Sequence, residues 1–302
     1  MSISLVMIVR NAAATIERCL ASVIDRPGGP MVQEAVAVLG GTSTDDTRGI
    51  VERFFASRNF PAKILDLPSD VAVDENGGLL DFAAARNFAH ANARMQWALW
   101  LDSDDVVPAP DGQGTADPDG NGTSAMSLEE FLASLPPNIN SVYVPYHYTI
   151  EPVTKSVLVS EMRERIVRWG DGFTWRGLDP AIDAAVKRSV HEHLVPVPPN
   201  EWRSVQMANF WIEHWPDKSA EERMERNYRI LQDLHDLADT NWRVAYYIGQ
   251  TCMYRGQFDK AIEYFGKAEM CGFGEHEKYM ALYQSSRAFA LSGRFREAER
   301  LA

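Results

Sequence analysis

Cysteine is scarce in this sequence of 302 residues. Its three cysteines, Cys19, Cys252 and Cys271, are odd in number and lie far apart. They therefore form neither a disulfide framework nor a zinc-binding pattern, which favours a reducing compartment and a cytoplasmic location.

Long apolar runs are also missing. No run approaches the roughly 20 apolar residues that a membrane-spanning helix needs. The apolar stretch Ile3–Val9 is too short for a signal peptide and has no basic segment before it. We therefore expect neither a membrane span nor a secretion signal.

Positive charge is in deficit. There are 30 Lys and Arg against 42 Asp and Glu, so the formal net charge is −12. This balance argues against broad, non-specific binding to nucleic acid, which needs basic side chains to displace counterions. It leaves room for a local basic groove. The 45% apolar and 24% charged content is ordinary for a soluble globular protein, and the length fits one large domain plus a smaller one.

Apolar strands alternate with amphipathic helices in the first third of the chain. Predicted helices follow Asn11, which can cap the first, then the turn at 40–47, and then Asp81, which can cap the third. Strand–helix alternation predicts a parallel, doubly wound α/β sheet. The predicted strands are 3–9, 35–39, 63–67 and 97–101.

The fourth predicted strand runs directly into acids. Asp102, Asp104 and Asp105 follow the apolar run 97–101. Open α/β sheets bind ligands at the carboxyl ends of their strands, and two carboxylates one residue apart suit Mg²⁺ or Mn²⁺ bridging to phosphate. The alternative is that the acids only begin a solvated turn.

The segment 108–127 is dense in Gly, Pro, Asp, Ser and Thr, and we expect a mobile surface loop there. It matches the first half of a calcium loop, but Leu128 stands where the closing acid belongs. Ser127 and Glu130 then form a predicted capping box for a helix through Leu135. Further strands are predicted at 142–148, 166–169, 173–175 and 209–215.

Beyond residue 216 the sequence becomes helical and charged. Gly249, Gly256 and Phe258 fall at spacings typical of a tetratricopeptide repeat. A second copy, with Gly293 and Phe295, follows 37 residues later rather than the usual 34 or so. One repeat and a fraction cannot bury a stable solenoid, so we expect either a truncated array or a pair packed on the first domain. Such repeats also suit a peptide groove or a homodimer.

Five motifs occur in an order and spacing that resembles the family 2 glycosyltransferases of the GT-A fold, in the branch with C-terminal tetratricopeptide repeats. The motifs are Ser4-Leu-Val-Met-Ile-Val-Arg-Asn11, Ser43-Thr-Asp-Asp-Thr47, Asp81-Phe-Ala-Ala-Ala-Arg-Asn87, Leu99-Trp-Leu-Asp-Ser-Asp-Asp105, and Trp175-Arg-Gly177 with Val190-His-Glu192.

The resemblance implies a domain plan. A GT-A domain with a Rossmann-like, mainly parallel sheet covers 1–215. It divides into a nucleotide-sugar half at 1–107, the loop at 108–127 and an acceptor half at 128–215. An all-α, tetratricopeptide-like region covers 216–302.

The resemblance also implies site residues and a reaction, which is transfer of a sugar from a nucleotide diphosphate with Mn²⁺ or Mg²⁺ as cofactor. Glu192 would be the base of an inverting transfer. Asp104, Asp102 and His214 would bind the metal. For Arg86 a surface salt bridge, and for Asp81 a helix cap, are equally open. The residues expected to bind the nucleotide sugar are Val9, Asn11, Asp45, Asp81, Arg86, Asp102, Ser103 and Gly177.

The sequence departs from the family at two places. Gly40 stands where members usually carry an acid that helps to hold the nucleotide base, which puts uracil recognition in doubt unless Asp45 or Asp70 compensates. The link at 178–189 is longer than usual and should reshape the acceptor side.

Three hypotheses compete. The first is a metal-dependent inverting glycosyltransferase with a macromolecular acceptor. Protein or peptide is favoured, and modified nucleic acid or a glycan stays open. The second is a non-catalytic scaffold that uses its helical repeats and keeps a degenerate transferase domain. The third, a nucleotidyltransferase, would need a basic glycine-rich loop after the first strand, which Arg10-Asn-Ala-Ala-Ala14 is not.

Overall fold

The computed structural model describes residues 1–108, 126–151, 153–177, 191–216, 220–232, 234–272 and 274–301. Contacts divide the chain into two compact units, one made of Met1–Trp175 and Leu194–Asp217 and the other of Arg176–His193 and Lys218–Ala302. The expected mobile loop at 108–127, its half-match to a calcium loop and the long link at 178–189 lie almost entirely outside the described residues.

The first unit contains the sheet. Within the described residues its strands follow the order β3-β2-β1-β4-β7-β6-β11-β5, with β10 beside β6. Strands β1 to β4 are mutually parallel, and β7 is antiparallel to β4 and β6. A smaller sheet joins β8 and β9. The strands are β1 Ile3–Val9, β2 Glu34–Leu39, β3 Ala62–Asp66, β4 Trp97–Trp100, β5 Asp105–Val106, β6 Ser141–Ile150, β7 Val157–Val167, β8 Phe173–Arg176, β9 His193–Pro196, β10 Ser204–Gln206 and β11 Ile212–His214.

Helices cover this sheet, and the predicted α/β class is confirmed. The central strands are buried on both faces, as their continuous apolar sequences predict. Alternate residues of β1 divide between two cores, because Leu5 and Met7 pack in one cluster and Val6 in the other. The helices of this unit are α1 Ile16–Ile24, α2 Thr47–Ser57, α3 Phe82–Ala91 and α4 Leu128–Ser134.

Two of the predicted helix caps are confirmed and one is wrong. The Asp81 carboxylate accepts from the Ala84 amide at 3.0 Å, and Ser127 and Glu130 form a capping box. Asn11 does not cap α1, which begins at Ile16. Its backbone is left-handed with φ 47°, and its side-chain oxygen accepts from the Thr44 amide at 2.7 Å. The asparagine therefore ties the end of β1 to the turn after β2.

The strands of the second half differ most from expectation. The predicted strand at 166–169 is the end of a much longer strand, β7, and 169–171 forms a short 3₁₀ turn. Residues 157–162 are exposed and carry no apolar alternation, so their pairing with β6 leaves no pattern in the sequence. The strand predicted at 209–215 is only Ile212–His214, and β10 was not predicted.

The second unit contains the remaining helices. Gly256 and Gly293, 37 residues apart, both follow a helix with a left-handed backbone. The helices agree with the predicted helical region, while its assignment as tetratricopeptide repeats stays a prediction. No helix within the described residues is long and apolar enough to span a membrane. The helices are α5 Ala220–Gln232, α6 Trp242–Tyr254, α7 Phe258–Cys271, α8 Glu275–Leu291 and α9 Phe295–Leu301.

A glycine sets the closest approach of two of these helices. A Cβ on Gly249 of α6 would lie 2.8 Å from the Phe265 ring of α7, which is fully buried. Gly249→Ala should therefore lower the free energy of unfolding by about 1–3 kcal/mol through overpacking. Gly266→Ala is the matched control, because a Cβ there meets nothing within 4 Å. That variant should be neutral or more stable by up to about 1 kcal/mol. Urea unfolding of both variants tests the contact, and equal effects would contradict it.

Candidate active site

The acids after β4 form a closed turn. Trp100 ends the strand, and the Asp105 amide donates to the Asp102 carbonyl at 3.1 Å. In return, the Asp102 amide donates to the Asp105 carboxylate at 2.9 Å. The turn holds the Asp102 and Asp104 side chains at the carboxyl end of β4, where the sequence predicts a ligand site.

Asp105 is the buried anchor of this turn. Its side chain is fully buried, and it accepts from the Tyr146 hydroxyl at 2.8 Å and from Arg165 Nη1 at 3.1 Å. Burial, followed by the Asp105 charge, raises the pKa of Tyr146 well above its ordinary value, so the tyrosine keeps the proton that it donates. Asp105 stands next to the predicted pair in the sequence, yet nothing in the sequence distinguished it as the anchor.

His214 reaches the acids through strand pairing. Strands β5 and β11 are antiparallel, and Asp105 lies opposite His214. The His214 Nδ1 atom lies 3.3 Å from Asp105 Oδ1 and 3.7 Å from Asp104 Oδ1. One ligand atom from each of the three residues lies within 4.8 Å of the others, so they could hold a metal ion. This cluster unites two of the predicted metal ligands, Asp104 and His214, with Asp105 rather than with Asp102.

The pKa values of Asp104 and His214 in this cluster both lie above their ordinary values. Burial raises the pKa of Asp104, and the charges of Asp102 and Asp105 add to that increase against the opposing effect of His214. For His214, burial lowers the pKa, but the hydrogen bond to Asp105 and the Asp104 charge outweigh it and raise the pKa above the ordinary value. A divalent cation would therefore compete with a proton at this place.

Asp102 faces two arginines. Arg86 Nη2 donates to one carboxylate oxygen at 2.8 Å, and Arg165 Nη1 lies 3.7 Å from the other. Burial raises the pKa of Asp102, but these two cations outweigh it and hold the pKa well below its usual range. Asp102 is therefore ionised and neutralised by arginine, and its side chain is 38% exposed.

Both arginines are buried against aromatic rings. Arg86, on α3, is 8% exposed, and its guanidinium carbon lies 4.7 Å from the Trp100 ring centroid and 5.0 Å from that of Trp175. Arg165, on β7, is 2% exposed and lies between Trp100 at 3.7 Å and Tyr146 at 4.1 Å. The sequence predicted Arg86 at the site and missed Arg165, since the predicted strand began only at residue 166 and no motif includes Arg165.

The loops after β1 and β2 are tied together by the other predicted residues. The Asp45 carboxylate accepts from the Ala13 and Thr47 amides, each at 3.0 Å. Burial opposes its charge, but the hydrogen bonds from Thr47 and Ala13 lower its pKa. Val9 is the buried last residue of β1, two residues before Asn11. The Asp45 carboxylate is therefore already hydrogen-bonded to amides of these loops.

Gly40 has a physical reason to be glycine. It is buried, and a Cβ there would lie 2.9 Å from Ile8 Cγ2. At Gly41, where φ is 94°, a Cβ would overlap the Gly77 carbonyl. Gly41 and Gly78 form an isolated antiparallel β-bridge at this point. An acidic side chain at residue 40 would therefore require the end of β2 to shift.

Residues 4–112 match the family described as Glycosyl transferase family 2. Within this segment the chain is similar to the family 2 glycosyltransferases. No curated protein matches the chain.

Several solved structures resemble this chain. TarS 1–349 from S. aureus, in complex with UDP-GlcNAc, is 13% identical with a TM-score of 0.50, over 100% of this chain and 90% of that chain. The mannosyltransferase PcManGT from Pyrobaculum calidifontis, with GDP-Man and Mn²⁺, is 14% identical with a TM-score of 0.44, over 99% and 84%. Glucosyl-3-phosphoglycerate synthase from Mycobacterium tuberculosis is 16% identical with a TM-score of 0.40, over 78% of each chain. At this identity the TarS likeness shows the GT-A fold.

The remaining predicted site residues divide between the two units. Ser103 lies half-buried in the turn after β4, in the first unit. Gly177 and Glu192 belong to the second unit, where Gly177 is buried and Glu192 is half-buried. Next to Glu192, the His191 ring stacks on Tyr247 at 3.7 Å. The assignment of Glu192 as the base stays a prediction.

Proposed function

We propose that this transferase moves a sugar from a nucleotide-diphosphate donor to a macromolecular acceptor, with inversion at the sugar carbon. The observation that carries the proposal is the group of acids after β4, joined to His214 and neutralised on one side by two buried arginines. Such a group suits the binding of a diphosphate, which needs positive charge close to its oxygens.

The donor set suits a divalent cation. Two carboxylates and one imidazole, from Asp104, Asp105 and His214, supply oxygen and nitrogen ligands of the kind that Mn²⁺ accepts and Mg²⁺ tolerates. We propose that these residues hold Mn²⁺ or Mg²⁺ beside Asp102. The ion, when bound, would neutralise charge on the departing diphosphate.

The chain's own residues divide the remaining work. Arg86 lies against Asp102 and would offer its guanidinium to the diphosphate, with Asn11, Asp81 and the turn at Ser103 beside the nucleotide. In the transfer an acceptor oxygen bonds to the sugar carbon while the bond from that carbon to the diphosphate oxygen breaks. Glu192 is the proposed base that takes the acceptor proton, and the nucleoside diphosphate leaves with the electron pair.

The class of donor has support, while the base of the nucleotide stays open. TarS binds UDP-GlcNAc, which supports a nucleotide sugar here. Gly40 leaves no room for a base-binding carboxylate, and Asp45 is occupied within its own loop. We favour protein or peptide as the acceptor, and a cytoplasmic location stays an expectation.

Thermal denaturation with a panel of nucleoside diphosphates, each with and without Mn²⁺, tests the donor site. Binding to the folded state raises Tm by mass action. We expect one nucleotide to raise Tm in a Mn²⁺-dependent manner and Asp104→Asn to abolish that increase. Asp66→Asn, which changes an exposed acid at the end of β3, is the matched control and should keep it.

The same samples separate catalysis from binding. A transferase should release the nucleoside diphosphate slowly from its donor even in the absence of acceptor, and Glu192→Gln should keep the Tm increase while slowing transfer. Nucleotide binding without any turnover would support the scaffold hypothesis instead. If no nucleotide raises Tm in the wild type, the donor site proposed here is wrong.

A further inference from the structure

The outer edge of β7 is long, apolar and exposed. Within the described residues, β7 pairs with β4 only at Ile166 and Val167, so residues 157–165 have a paired strand, β6, on one side only. Four apolar side chains in this stretch are exposed by 36–63%, namely Val157, Leu158, Val159 and Met162. Proteins usually protect such an edge with lysine, proline or a covering segment.

The backbone direction identifies which groups point outward. The Glu164 carbonyl accepts from the Trp100 indole on β4 at 2.7 Å, so it points away from β6. Both backbone polar groups of a residue in an antiparallel ladder point to the same side, and the side alternates along the strand. Ser160 and Met162 therefore also point outward. Pro145, which has no N–H, lies opposite Met162 and agrees with this assignment.

These outward groups form a short unused ladder. Ser160 and Met162 each offer one N–H and one carbonyl, with no strand beside them in the described part of the chain. On the face of the strand that carries Leu158 and Met162 the exposed side chains are uncharged, whereas the opposite face carries Val159 beside Glu161 and Arg163. A strand that pairs here would gain hydrogen bonds and cover the apolar side chains.

We propose that a second copy of this chain pairs with this edge, antiparallel, about a two-fold axis at Ser160. In that register Met162 faces Leu158 of the second copy, and Glu161 faces Val159. The Met162–Leu158 pair occurs twice by symmetry, and no like charges oppose each other.

The neighbouring registers are less suitable. An axis at Glu161 would place the two Glu161 carboxylates directly opposite each other, which is destabilising. An axis at Met162 would require the Glu164 carbonyl, which already accepts from Trp100. The edge is therefore self-complementary in the register centred on Ser160. This surface is distinct from the helical one on which the sequence predicted a homodimer.

Light scattering or sedimentation equilibrium over a range of protein concentrations tests the proposal. The wild type should form a dimer. Ser160→Pro removes an outward N–H from each copy and leaves the β6 ladder unbroken, so the dissociation constant should rise at least about tenfold. Ser160→Ala is the matched control and should leave it unchanged. Circular dichroism and the nucleotide-dependent change in Tm report whether each variant is folded.

A charge exchange tests the register itself. The double variant Leu158→Lys with Met162→Lys places like charges opposite each other and should yield a monomer. Leu158→Lys with Met162→Glu places opposite charges there and should still dimerise. Both changes fall on exposed side chains, so folding should survive. If the wild type is monomeric at every concentration, the proposal is wrong, and a strand of the acceptor becomes the alternative partner of this edge. If the wild type dimerises and none of these changes alters its dissociation constant, the dimer interface lies on another surface.

Discussion

Replacing Arg165 with methionine is expected to lower the free energy of unfolding by about 3–5 kcal/mol, the range found when one partner of a buried ion pair is removed. Arg165 is 2% exposed and faces Asp105, which is fully buried. Without the guanidinium, Asp105 keeps the Tyr146 hydroxyl, the Asp102 amide and His214 Nδ1 as partners but loses the permanent positive charge beside it in the core. Methionine has a similar length and can still pack between the Trp100 and Tyr146 rings.

A second variant separates charge from packing. Arg165→Met combined with Asp105→Asn removes both charges, and we expect it to recover at least half of the lost stability, measured by urea unfolding followed through tryptophan fluorescence. Arg48→Met is the control, because Arg48 pairs with Asp66 and Glu52 at the exposed surface. Surface pairs of this kind contribute about 0–1 kcal/mol. If the single and double Arg165 variants were equally unstable, packing rather than charge would explain the loss.

The same residues show what the sequence could and could not predict. An apolar run that ends in Asp102 and Asp104 is a local signal, since strand burial and the position of the acids are both encoded within nine residues. The resemblance predicted His214, and the pairing of β5 with β11 brings it to the acids from 109 residues further along the chain. Arg165 has no such signal. It sits in a strand whose outer half is exposed, and its partners meet it only in the folded protein.

Asn11 is the reverse case, because its local sequence pattern predicted a contact that the structure does not have. An asparagine before an amphipathic stretch is a common helix cap, and the helix predicted after Asn11 does form. A long-range bond to the Thr44 amide uses its side chain instead, so tertiary structure overrides the local preference. Gly40 was noticed as a departure, and its cause, the short distance from a Cβ to Ile8, exists only across two neighbouring strands.

His90 predicts a second large effect, this time on the pH dependence of stability. It is fully buried on α3, with Nδ1 3.0 Å from the Arg86 carbonyl and its ring 4.3 Å from that of Trp169. Nε2 has no hydrogen-bond partner among the described residues. Burial lowers the pKa of His90 to about 3; the Arg86 charge adds to this, and the hydrogen bond to the Arg86 carbonyl opposes it.

The sign follows from proton uptake. In the unfolded chain the histidine binds a proton below its ordinary pKa of about 6.5, whereas in the folded protein it stays neutral until about pH 3. The stability contributed by neutral His90 is therefore complete above pH 6.5 and is lost as the pH falls from 6.5 towards 3. The slope approaches about 1.4 kcal/mol per pH unit, which amounts to about 2 kcal/mol between pH 6.5 and 5.

His90→Asn should remove this dependence. The asparagine amide can donate to the Arg86 carbonyl as Nδ1 does, but it does not titrate. We expect the variant to be less stable than the wild type at pH 7, because it fills less space beside Trp169 and Trp175, and to lose about 2 kcal/mol less than the wild type between pH 7 and 5. His235→Asn, at an exposed histidine, is the control, and its free energy of unfolding should change between pH 7 and 5 by as much as that of the wild type. Parallel stability profiles for wild type and His90→Asn would show that His90 accepts a proton in the folded protein, against the burial argument made here.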